Sequence, residues 1–221
     1  MRFSHKSCRS PHKGVSPYKV NGKFINFVES YTDLGVTIER NLRFHTHIAS
    51  KVAKISGLTI NLLSSTLSRE PEFMVNVYTM HVRPLIEYGS TLWNIGYVGD
   101  MRLLEKVQRR WTKSIAGFET KCYRERLVLL DLFSVKGRLL RADMILVWKI
   151  LHGKCAIPTE KVFTFPFARS TRGHSKKLYL PNAKIDCRRR FFTIRVVNIW
   201  NQLSNETVET QSLTTLRDCL R

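Results

Sequence analysis

From residue 41 onward the apolar residues of this 221-residue chain recur at intervals of three and four, a period that helices satisfy and strands do not. Phe44, Ile48, Val52, Ile55, Leu58 and Leu62 make one core-facing stripe. Pro71 can open the next helix, where its missing N–H costs nothing. Met74, Val77, Tyr78 and His81 form its stripe, and Pro84 is expected to end or kink it. Asp100 is a good N-cap and Gly117 a good C-cap for a helix carrying Leu104, Val107, Trp111 and Ile115 on one side. Residues 123–130 read as a short amphipathic helix. Ser134 can cap a longer one over 135–152, closed by Gly153. That helix is apolar over much of its circumference (Leu139, Leu140, Met144, Val147, Trp148, Leu151), which places it centrally in the packing. Phe192, Val196, Ile199, Trp200 and Leu203 predict a late amphipathic helix, and Ser212 caps a short terminal one.

The N-terminal part reads differently. Residues 1–17 form a polar arm broken by Pro11, Gly14 and Pro17. Tyr18 and Val20 alternate with Lys19, and Asn21-Gly22 supplies a type I′ turn. Residues 24–28 are the expected return strand and 31–33 a short connection. Leu34, Val36 and Ile38 then alternate as a third strand, with Gly35 inside it as a sign of a bulge or a close backbone approach. The expected fold class is mainly α, a helical bundle with a small N-terminal antiparallel β element. Its parts are the arm 1–17, a β element 18–40, a helical domain 41–153, and a basic loop with C-terminal helices over 154–221.

Charge narrows the partners. The formal net charge is +20, from 37 Lys+Arg against 17 Asp+Glu. The excess is spread over both halves, with 16 basic and 8 acidic residues in 1–110 and 21 and 9 in 111–221. Such a field attracts polyanions, and nucleic acid is the first partner to consider; a Lys/Arg-rich soluble surface and a basic assembly subunit are the alternatives. The five cysteines are scattered, odd in number and without a Cys-x-x-Cys pair, which fits a reduced intracellular protein, nuclear or cytoplasmic. No apolar run approaches the ~18 residues of a spanning helix, so no membrane partner is expected. His45 and His47 have no Cys or carboxylate at ligand spacing beside them, so no metal site is expected there. Phosphate loops, nucleophile elbows, His-Glu-x-x-His and paired aspartates are all missing from the sequence, which argues for binding and positioning rather than chemistry.

Two basic features stand out. Arg102, Lys106, Arg109 and Lys113 fall opposite the apolar side of helix 100–116, within roughly 60° at 100° per residue. The stripe holds four cations and no acid, and it reads either as a phosphate-facing surface or as an ordinary solvated face. Between Arg169 and Arg195 there are nine basic residues and one acid, Asp186, peaking at Arg188, Arg189 and Arg190. Nucleic-acid contact, a nuclear-import address and a solvated linker compete for this loop.

Five blocks, in order, resemble the C-terminal part of reverse transcriptases from non-LTR retrotransposons of the jockey type. They are Tyr31-Thr32-Asp33-Leu34-Gly35-Val36 leading to Leu42-Arg43-Phe44 and His47-Ile48; Val82-Arg83-Pro84-Leu85-Ile86-Glu87-Tyr88-Gly89-Ser90 with Trp93; Leu104-Glu105-Lys106-Val107-Gln108-Arg109-Arg110; Tyr123-Arg124-Glu125-Arg126-Leu127 with Arg138, Arg141 and Asp143; and Phe192, Arg195-Val196-Val197, Trp200-Asn201 and Leu203.

The resemblance implies that residues 18–38 are similar to the primer grip, with Asp33, Leu34, Gly35 and Val36 as its core. It implies that the helices beyond are thumb-like and hold an RNA–DNA template–primer by its backbone. The family's catalytic Tyr/Phe-x-Asp-Asp motif, its fingers and the rest of its palm are not in this sequence. The expectation is therefore a truncated RNA-directed DNA polymerase fragment that binds nucleic acid and does not polymerise alone. No cofactor is expected in this chain, Mg²⁺ being needed only by the full-length enzyme, and the missing palm and fingers are implied partners. A stand-alone basic helical nucleic-acid-binding protein and a protein–protein scaffold are the rival readings.

Overall fold

The computed structural model describes residues 18–24, 28–166 and 173–220. The expected polar arm 1–17 lies outside them, as do the middle of the expected strand 24–28, Arg169 and Arg172.

Two separate two-stranded antiparallel sheets open the described chain. Strands β1 (Lys19–Val20) and β2 (Lys23–Phe24) are joined through Asn21 and Gly22, both at positive φ (48° and 77°), as the Asn-Gly pair predicts. Strands β3 (Ser30–Asp33) and β4 (Val36–Glu39) form the second hairpin, in which Asp33 pairs with Val36. The expected connection 31–33 is therefore a strand. Leu34 and Gly35 are its turn, at φ 46° and 77°, rather than strand residues. Sequence alternation missed this because Leu34 is a poor residue for a left-handed turn and hides the Leu-Gly pair.

The rest is helical. Helix α1 spans His45–Ser65 and α2 Pro71–Val77. The chain then widens into a π-turn over Tyr78–Val82 before α3 (Arg83–Glu87). The N–H of Arg83 reaches back to the Tyr78 carbonyl, and this wider turn lets the helix run on into Pro84 instead of ending there. It also shifts the inward face. Met74, Tyr78, Val82 and Ile86 are buried, whereas His81, expected on the stripe, is exposed. Helix α4 (Ser90–Trp93) follows Gly89 at φ 67°. Helix α5 runs Val98–Lys113, α6 Tyr123–Leu129 and α7 Val135–Leu151. Ser134 caps α7, its Oγ accepting the Gly137 N–H at 3.1 Å. Helix α5 starts two residues before the expected cap. Asp100 lies inside its first turn, buried, with Oδ2 2.8 Å from Nδ1 of His45.

Beyond α7 come the short helices α8 (Thr159–Val162), α9 (Asp186–Arg189), α10 (Phe192–Arg195), α11 (Val197–Trp200), α12 (Asn205–Glu209) and α13 (Leu213–Cys219). The expected late helix is thus two single turns. Phe192, Val196 and Trp200 still point inward, while Ile199 is 36% exposed.

Two apolar clusters share α7. Val135 and Leu139 belong to the first, with α1–α5; Met144, Val147, Trp148 and Ile150 belong to the second, with the C-terminal helices. Each of the four tryptophans donates its indole N–H to a backbone carbonyl: Trp93 to Tyr88 (2.8 Å), Trp111 to Met74 (3.0 Å), Trp148 to Thr210 (3.1 Å) and Trp200 to Lys176 (2.9 Å). Large rings are buried without leaving an orphan donor, and they pin distant segments together. No helix among the described residues is long and apolar enough to cross a membrane.

Candidate nucleic-acid interface

Helix α5 keeps the two faces its sequence predicts. Leu104, Val107 and Trp111 are buried, and Arg102, Lys106, Arg109 and Lys113 are exposed. Among the described residues none of these four forms an ion pair. Arg102, Lys106 and Arg109 line a groove of about 630 Å³ between α5 and the starts of α6 and α7, where Lys136 joins them.

The one carboxylate among the described residues of that groove, Glu105, is already engaged. It accepts the N–H groups of Val135 (3.2 Å) and Lys136 (3.4 Å) at the N-terminus of α7, where negative charge is favoured. It also accepts the hydroxyl of Tyr123. Burial and this bond hold the Tyr123 phenol well above its ordinary value, so it stays a donor. The Tyr123 ring in turn carries the Arg109 guanidinium 4.4 Å from its centroid. Arg109 is thereby held in place while its charge faces outward.

The basic triplet divides. Arg188 and Arg189 are exposed on α9. Arg190 turns inward: its Nε lies 3.0–3.1 Å from both carboxylate oxygens of Asp186, its Nη1 donates to the Ile95 carbonyl at 3.3 Å, and it stacks 4.4 Å over the Tyr97 ring. Tyr97 completes the knot by donating its hydroxyl to Asp186 at 3.0 Å. The hydrogen bond from Arg190 holds the Asp186 carboxyl below its usual range. Since Tyr97 immediately precedes α5, this knot fixes the turn bearing Arg188 and Arg189 beside the N-terminal end of the cation-bearing helix. Residues 173–185 of the expected loop carry no helix or strand, its end at Asp186–Arg189 is an anchored helical turn, and one of the three arginines is structural.

The second hairpin is docked by its tip. Tyr88 donates its hydroxyl to the Leu34 carbonyl at 2.8 Å. Val36 is 5% exposed, and a Cβ at Gly89 would come within 3.2 Å of its Cγ2, so Gly89 lets β4 close onto the bundle. Asp33 and Gly35 are exposed, and Leu34 stands 83% exposed in a left-handed conformation.

Sequence reading overlooked a second donor-rich groove, about 440 Å³, between this hairpin and α1. Thr32, Thr37, Ser50, Lys51 and Lys54 line it with His47, and no carboxylate does among the described residues. His47 Nδ1 accepts the Thr37 N–H at 3.2 Å, and burial lowers its basicity. Lys51 donates to the Tyr88 carbonyl at 2.7 Å and lies 4.2 Å over the Trp93 ring, and burial pulls it down to about 8. The available signal was the spacing: His47, Ser50, Lys51 and Lys54 fall on one helical face. Comparison with protein-family models, curated proteins and solved structures gives no significant match.

Proposed function

We propose that this chain is a nucleic-acid-binding module that grips an RNA–DNA template–primer by its phosphates, the part a thumb plays in the non-LTR reverse transcriptases its sequence resembles. The observation that carries this reading is the exposed face of α5: four cations, three of which line a groove with Lys136 beside a carboxylate already occupied by α7 and Tyr123. Contacts of this kind bind a backbone of any sequence, because cations on phosphates carry no base information. Arg188 and Arg189, held next to α5 through the Tyr97 knot, extend the same basic surface. The hairpin with Asp33, Leu34, Gly35 and Val36 is the primer-grip-like element. Polymer synthesis belongs to the palm and fingers that would partner this module.

Titration of the full chain with a fluorescent RNA–DNA hybrid over a range of salt concentrations tests the proposal. Log affinity should fall linearly with log salt, and Lys106→Gln with Lys113→Gln should weaken all sequences alike and flatten the slope by roughly two. A double variant with an unchanged slope would remove α5 from the interface.

A further inference from the structure

The groove between the second hairpin and α1 collects hydrogen-bond donors from both elements, and no acid lines it among the described residues. His47, Ser50, Lys51 and Lys54 come from α1, Thr32 and Thr37 from the hairpin. Neither lysine forms an ion pair among the described residues. Burial alone pulls Lys51 down, with no carboxylate close enough to hold it up, and the charges of Lys51 and Lys54 add to burial in lowering His47. The acids of the hairpin are turned to other work. Asp33 alternates to the strand face opposite Thr32, Glu39 accepts the Thr46 N–H at 3.0 Å, and Glu29 pairs with Arg40 at 3.0 Å.

The donors are only partly spent. His47 is 5% exposed, and because its Nδ1 accepts the Thr37 N–H, the ring proton of the neutral imidazole sits on Nε2. That Nε2 has no hydrogen-bond partner among the described residues, an uncommon and costly state for a buried donor. The Thr32 and Thr37 hydroxyls lie 3.1 Å apart, so one of their hydrogens is used between them and the other is left over. The Lys51 ammonium gives one N–H to the Tyr88 carbonyl and keeps the rest.

We propose that this groove binds a phosphate monoester, with Lys51, Lys54, Ser50 and the orphaned His47 N–H as donors to the phosphate and Leu85 and Tyr88 beside its organic part. Two ammoniums call for a dianion, and a carboxylate would leave most of these donors unanswered. Leu85 and Tyr88, 44% and 56% exposed, line the same groove and offer apolar surface to a sugar or base. A space of about 440 Å³ suits a ligand the size of a mononucleotide. The monoester can belong to a free nucleotide or to the phosphorylated end of a strand. The groove shares no lining residue with the α5 groove, so the two assignments stand or fall separately.

Isothermal titration of the full chain with adenosine 5′-monophosphate, at constant ionic strength, tests this. The expected result is one saturable site, weakened about tenfold by Ser50→Ala with Lys54→Gln and unchanged by Lys106→Gln with Lys113→Gln. Affinity should also fall as pH rises through about 8, where Lys51 gives up its proton. Circular dichroism confirms that each variant is folded, and Lys54→Gln alone, at an exposed position, serves if the double variant is not. A 5′-phosphorylated oligonucleotide that gains more over its 5′-hydroxyl counterpart than the mononucleotide gains over adenosine makes the source a strand end; the opposite order makes it a free nucleotide. Absence of saturable binding would overturn the proposal. So would equally tight binding of adenosine or of inorganic phosphate, equal loss in the α5 variant, or an affinity that does not change between pH 7 and pH 9.5.

Discussion

The Arg195 guanidinium places Nη2 3.0 Å from Oδ1 of Asp143 and Nε 3.1 Å from Oδ2, on the stretch of α7 between the two apolar clusters. The same guanidinium donates to the carbonyls of Thr91 and Arg190, so one side chain ties α4, α7 and α10 together. Burial pushes the Asp143 carboxyl up to about 6, outweighing the attraction of Arg195.

Arg195→Met should therefore destabilise the fold by about 3 to 5 kcal/mol at pH 7.5, because the buried carboxyl must then either stay ionised without a partner or take up a proton from neutral solution. Folded Asp143 holds its proton to a higher pH than the unfolded chain does. Its contribution is present in full below about pH 4 and is lost as pH rises through about 6. The loss in Arg195→Met should accordingly shrink at pH 4.5, where the orphaned carboxyl is neutral. Denaturant unfolding at both pH values measures it, and equal losses would contradict the assignment.

Arg189 and Arg190 are neighbours with opposite duties. Arg190→Gln breaks the contacts to Asp186, Ile95 and Tyr97 and should cost about 1 to 2 kcal/mol in thermal unfolding. Arg189→Gln should change stability by less than about 0.5 kcal/mol while weakening hybrid binding. A reversed pattern would free the basic turn from α5.

Leu34 occupies a turn position that favours Asn. Leu34→Asn should stabilise the second hairpin by about 0.5 to 1 kcal/mol, seen as slower hydrogen exchange across β3 and β4. It should also weaken hybrid binding, since the exposed apolar tip is removed. Unchanged affinity would place the tip outside the interface.

Glu105→Gln should trade stability for affinity. Losing the negative charge at the start of α7 should lower stability by about 1 kcal/mol. The groove then gains positive potential, so hybrid binding should tighten several-fold at low salt and converge on wild type as salt rises. Weaker binding in a folded variant would show that Glu105 orients the interface rather than opposing it.

Periodicity alone determined much of this molecule. The stripes through Ile48 and Ile55, through Leu104 and Trp111, and through Leu139 and Val147 are buried as their spacing requires, because a helix has only one way to turn such a pattern inward. The two faces of α5, the Asn21-Gly22 turn and the Ser134 cap are local matters, settled by residues within a turn of each other.

What the tertiary structure decided is where charge is spent. Arg188, Arg189 and Arg190 are identical in type and adjacent in sequence. Only the approach of Ile95, Tyr97 and Asp186 turns the third inward, while the first two stay exposed. Glu105 became a support for α7 through residues some thirty positions away, and Glu87, already within reach of Arg83 on its own helix, became a carboxylate shared with the distant Arg138. The π-turn before Pro84, which moved His81 outward and Val82 inward, follows from the strain of continuing a helix through proline. Hydrophobic pattern is a property of single elements. The pairing of charges depends on which elements meet, and that is fixed only when the bundle closes.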